Sequence, residues 1–201
     1  MQAYELTASE MALAADAEII LTKNRVIGKV YALFGALQTA MEADAVIGRY
    51  GAGESDPPKI SRGEQYEGLP YVMLDYPRAF GRESIFACRT FFWWGRFFSL
   101  TLHLAGGALE RHRGALTGMH ERVASAGWYV CVNDDPWQHH FREDNYRAAA
   151  SVSQTEWEEL LRKPFFKLAK QCKLRDWEKI MPVAAASYAS LLGWLGGSSV
   201  R

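Results

Sequence analysis

Ile85–Gly107 reads IFACRTFFWWGRFFSLTLHLAGG, and its interpretation decides the fold. Two runs rich in aromatic and aliphatic residues flank Gly95-Arg96, and a two-residue turn with glycine first matches the twist of antiparallel strands. The pattern predicts a hairpin in which Trp94 faces Phe97, Trp93 faces Phe98 and Cys88 faces His103. On that register one face carries Ile85, Ala87, Arg89, Phe91, Trp93, Phe98, Leu100, Leu102 and Leu104, a core face with Arg89 as its one intruder. The other face is aromatic near the turn and polar toward Ser99, Thr101 and His103, as a pocket floor would be. A slip of one residue would exchange faces and bring Arg89 beside His103.

Around this hairpin the composition sets limits. A chain of 201 residues suits one domain, read as 1–201. Lys+Arg and Asp+Glu both number 23, which removes the electrostatic argument for nucleic-acid binding or an anionic membrane surface. Seven tryptophans and 49% hydrophobic residues call for a substantial core. Cys88, Cys131 and Cys172 are odd in number and lack CxxC spacing, the pattern of a reducing compartment, so a cytoplasmic location is expected. The N-terminus shows no signal-peptide pattern. Ile180 to Val200 is uncharged, but Pro182 and several Gly, Ser and Ala residues dilute it; a buried or partner-docking helix is expected there, not a membrane span.

Before the hairpin, Thr7-x-x-Glu10 is a capping-box pattern that opens a helical region, 8–47, read as one long helix bent near Asn24 and Gly28. Residues 48–69 have no period and many Gly, Pro and charged residues, so a long loop is expected. Tyr71–Tyr76 reads as a strand with Asp75 at its end. A buried Asp75 would need Arg62, Arg78 or Arg89 as a partner. After the hairpin come a helix over 108–126 whose His112 and His120 read as solvated, a strand at Trp128–Val132 and another at Tyr146–Val152. Ser153-x-x-Glu156 caps a last helical region, 154–195, whose apolar stripe resumes at Phe165 and which Pro182 divides. Helices, then strands at hairpin spacing, then helices make the class α+β, with an antiparallel sheet of about five strands centred on 85–105 and covered by the terminal helices.

Two functions follow. The first is a small-molecule or anion-binding pocket between the 59–66 loop and the hairpin, lined by Arg62, Glu64, Tyr66, Asp75, Arg89 and His103. His103 would be its acid or base, Asp75 or Glu64 the orienting carboxylate, and Arg62 or Arg89 the clamp for a small anionic ligand. The second is a non-catalytic homo-oligomer or partner-binding protein that uses the aromatic hairpin face and the long N-terminal helix. No cofactor is implied. There is no Walker A loop and no H-E-x-x-H pair, and Asp134, Asp135, His139 and His140 match no metal spacing.

Overall fold

The computed structural model describes residues 4–52 and 55–196. It is an α+β structure built on one antiparallel sheet. Seven strands, β1 (Lys59–Tyr66), β2 (Leu69–Phe80), β3 (Ser84–Trp93), β4 (Phe97–Gly106), β5 (Tyr129–Cys131), β6 (Tyr146–Ala148) and β7 (Phe165–Lys173), lie in the order β1-β2-β3-β4-β7-β5-β6. The helices are α1 (Ala8–Ala15), α2 (Ala17–Ala43), α3 (Ile47–Gly51), α4 (Gly107–Thr117), α5 (His120–Ser125), α6 (Gln154–Leu161) and α7 (Ile180–Gly196). Val30, Phe34, Leu37 and Met41 of α2 and Tyr188, Leu191 and Leu192 of α7 bury one sheet face. They pack with Val72, Leu74, Phe98, Leu100, Leu102 and Leu104. Each such side chain contributes about 1.5–3 kcal/mol of transfer free energy.

The central hairpin forms, but its register differs from the sequence reading by one residue. The turn holds three residues, Trp94-Gly95-Arg96, with Gly95 at φ 67°, and Trp93 pairs with Phe97. Three-residue hairpin loops place a glycine in the left-handed region in this way. The physical driver is β4. Phe98, Leu100, Leu102 and Leu104 must face the helices, and the extra turn residue aligns them with Phe86, Cys88, Thr90 and Phe92. Arg89 thereby pairs with Thr101 and Ala87 with His103, so Arg89 and His103 share the face away from the helices.

Two strands occupy segments read otherwise. Residues 59–66 are not loop but β1, an edge strand whose exposed Lys59, Arg62 and Glu64 hide its pattern and guard the edge. Phe165–Lys173 is not helix but β7, paired with β4 and β5 and buried on both faces at its start. A continuous apolar run of that kind reads equally well as helix or strand. The strand at Tyr71 runs on through both flanking prolines as β2, with a register shift between Asp75 and Arg78. The N-terminal helical region breaks at Asp16, which caps α2 through Glu18 N, and α2 then runs unbroken through Asn24 and Gly28. A 3-10 turn, Leu174–Lys179, leads into an unbroken α7 with Pro182 in its first turn. Both capping boxes form as the sequence implies.

Candidate functional site

The sheet face away from the helices carries an unusual density of buried polar groups. Asp75 and Arg89 pair across β2 and β3, Nε donating to Oδ1 at 2.7 Å and Nη2 to Oδ2 at 2.9 Å. Behind them the Tyr188 hydroxyl bridges β3 and β4, donating to Arg89 O at 2.7 Å and accepting from Thr101 N at 3.2 Å. Next along the face, His103 of β4 lies opposite Lys167 of β7. A strap of chain between β5 and β6 covers the cluster. Lys167 Nζ donates to the strap carbonyls of Pro136 (2.6 Å) and Gln138 (2.9 Å). The Tyr66 hydroxyl accepts from His139 N and His140 N, at 2.8 and 3.2 Å. The His139 ring stacks on Phe91, and its Nε2 lies 3.5 Å from Arg89 Nη1.

Burial dominates the electrostatics. Desolvation, with Lys167 and Arg89 adding to it, pushes His103 down to about 3, so it is neutral. The same causes hold His139 well below the usual imidazole range. Desolvation pushes the Lys167 ammonium down to about 8, opposed by Cys131 and reinforced by Arg89. The Cys88 thiol is fully buried on the helix face and pushed far up, which leaves it an inert core side chain. A cavity of about 10 Å³ remains between Phe80, Ala87, Arg89, Thr101, His103, Pro136, His139 and Lys167.

Of the six residues expected to line a site, the fold brings four to this region and separates two. Asp75, Arg89 and His103 converge on one face, and Tyr66 reaches them through His139. Arg62 and Glu64 are exposed on β1. Arg62 pairs in register with Val72, whose side chain faces the helices, and Glu64 pairs with Lys23 of α2 at 2.5 Å. Residues 59–66 are themselves a strand, with β2 between them and the hairpin. Lys167 was hidden in the run FFKLA, Phe165 to Ala169. Its signal is a lone lysine among apolar residues, which only the strand assignment turns into a buried amine.

An open concavity adjoins this cluster at the β2–β3 turn. A cavity of about 480 Å³ lies between α3, the β2–β3 turn and α4, with Arg49, Arg78, Arg111 and His112 on its walls and Ser55 and Ser84 beside them. Tyr50 and Phe86 stack at 5.2 Å, and His112 tilts against Phe86 at 5.7 Å. His112 is therefore packed, not solvated, and burial together with Arg111 lowers its pKa. His120 is also packed, stacked on Trp157 and hydrogen-bonded with Ala149 O and Gln154 Oε1. Among the described residues the one carboxylate of the cavity wall is Asp56, which Arg78 holds at 3.4 Å. A second cavity of about 400 Å³ continues past Arg49 and Tyr50 along Leu192 and Gly193. Phe80 stands between the open cavity and the inner cluster, with the guanidinium of Arg78 5.7 Å and that of Arg89 5.9 Å from its ring.

Among the described residues no group of three or more His, Cys, Asp or Glu side chains is placed to hold a metal ion, and no helix is long and apolar enough to cross a membrane. Comparison with protein-family models, with curated proteins and with solved structures returned no match.

Proposed function

We propose that this protein binds a small anionic ligand in the open cavity between α3, the β2–β3 turn and α4. The observation that carries the reading is charge. Three arginines line a cavity of about 480 Å³, and since its one described carboxylate, Asp56, pairs with Arg78, Arg49 and Arg111 stand without a carboxylate partner among the described residues. Guanidinium groups bind carboxylate and phosphate through paired hydrogen bonds, and the Tyr50–Phe86 stack offers an apolar wall for the rest of the ligand. This reading puts the anion site at the β2–β3 turn, beside the residues that lead into β1, and not on the hairpin face. Arg49 and Arg111 are exposed, so Arg49→Ala with Arg111→Ala should leave the fold intact. Inorganic phosphate and pyrophosphate should raise the melting temperature of the native chain and lose that effect in the double variant. No shift, or an equal shift in both proteins, overturns the proposal.

A second reading, self-association, rests on a separate observation. Among the described residues, seven of the nine exposed large apolar side chains, Tyr4, Leu6, Met11, Leu13, Ile19, Ile20 and Leu21, lie on the N-terminal arm made of residues 4–7, α1 and the start of α2. The aromatic hairpin itself does not supply this surface, since Phe91, Trp93 and Phe97 are buried. A second copy of the chain fits the arm by charge. The arm carries Glu5, Glu10, Asp16 and Glu18 and no cation before Lys23, which disfavours an anionic lipid surface. At the same end of the sheet, where Lys173 pairs with Phe97, a cavity of about 370 Å³ is ringed by Lys170, Lys173, Arg175 and Lys179, with Asp176 paired to Lys179, over Ile180 and Val183. Light scattering at micromolar concentration should give a dimer, and Leu13→Lys with Ile20→Lys a folded monomer. A monomeric native chain, or an undisturbed dimer in the variant, ends this reading.

A further inference from the structure

The inner cavity over β3, β4 and β7 is separate from the open one, and its walls have a definite chemical bias. Arg89 and Lys167 can only donate hydrogen bonds. Arg89 uses Nε and Nη2 on Asp75, leaving a hydrogen on Nη1 beyond the contact with His139. Lys167 uses two of its three hydrogens on Pro136 O and Gln138 O. His103, 5% exposed, is a third wall, and its Nε2 has no hydrogen-bond partner among the described residues.

Charge points the same way. Asp75 balances Arg89, but no carboxylate among the described residues lies in ion-pair range of the Lys167 ammonium, which is 1% exposed. Asp135, on the strap nearby and bonded to Trp137 N and Gln138 Nε2, favours the charged Lys167 through space without reaching ion-pair distance. The cavity measures about 10 Å³, room for a single small sphere. A water placed there must direct two hydrogens of its own at a wall whose charged members are donors. A monatomic anion has none to place, and it accepts from an ammonium that no carboxylate contacts directly among the described residues.

We propose that the cavity between Arg89, His103 and Lys167 is a halide site, with chloride as the natural occupant. Arg89 Nη1, Lys167 Nζ and His103 Nε2–H donate to the ion, and Thr101 and Phe80 close its sides. The site requires His103 in the tautomer that carries its hydrogen on Nε2.

Crystals of the full chain grown in sodium bromide should give an anomalous bromine peak between these three side chains. In solution, exchanging sodium gluconate for sodium bromide at equal ionic strength should raise the melting temperature by about 2–4 °C. Arg49→Ala with Arg111→Ala, which disables the open pocket, should keep that shift, and Lys167→Met should lose it. A bromide map with no anomalous peak in the cavity, or a halide shift unchanged in Lys167→Met, overturns the proposal. Should Lys167→Met fail to fold, the anomalous map of the native chain decides alone.

Discussion

That Asp75, if buried, must pair with a cation was legible in the sequence, because an unpaired carboxylate on an apolar strand is costly. The choice among Arg62, Arg78 and Arg89 needed the register. The pair lies at 14% and 7% side-chain exposure, so Arg89→Ala should cost about 3–5 kcal/mol in urea unfolding by stranding the carboxylate. Replacing both partners, Arg89→Met with Asp75→Leu, should cost far less. The two buried bases next to the pair respond to pH in the same sense. His103 titrates near 3 when folded and near 6.5 when unfolded, so below pH 6.5 the unfolded chain takes up a proton that the native state refuses. Stability should fall with acid, by roughly 3 kcal/mol at about pH 4, and His103→Asn should remove that share of the loss. Lys167 is held down to about 8 from 10.5, so above pH 8 the native state releases its proton first and stability gains. The native chain should gain about 2 kcal/mol over Lys167→Met between about pH 8 and pH 10, read as the difference between their unfolding curves.

At the scale of elements, what is local was readable and what depends on neighbours was not. The capping boxes at Thr7 and Ser153 are decided within four residues, and both form. β1 is an edge strand with charge on both faces, so no alternation betrays it. β7 is a central strand, apolar on both faces at its start, so its run mimics a helix stripe. The hairpin register turned on a single turn residue that the sequence permits but does not require. Two glycines eight positions apart test how far position outweighs residue type. Gly106 sits at φ 53°, and a Cβ there would meet Glu83 O at 2.0 Å, so Gly106→Ala should lose about 2–3 kcal/mol. Gly114 lies inside α4 with nothing near its missing Cβ. Gly114→Ala should therefore gain about 0.5–1 kcal/mol, both changes being measured by chemical denaturation.

For the molecule as a whole, the α+β class and the covering helices were readable from the order of patterns along the chain. The pairing of β4 with β7 was not, since no local signal says which distant strand becomes a neighbour. The candidate site suffered most from this: its lysine arrives on β7 and its lid lies between β5 and β6, both placed only by long-range pairing. The N-terminal arm has the opposite character, because no side chain of α1 is buried and the first in α2 is Ile27. A chain lacking residues 1–22 should therefore fold, and its melting temperature should be independent of protein concentration, whereas that of the full chain should rise with it. The strand order also bears on synthesis. β1 to β4 can form a meander as soon as they leave the ribosome, but the partner of β4 ends at Lys173, 67 residues after Gly106, and β5 likewise waits for it. During that interval Phe97 to Leu104, every one of them buried in the finished fold, line an open edge. Translation pausing or chaperone shortage in that window should tip the nascent chain toward aggregation, although the completed protein presents no such edge there.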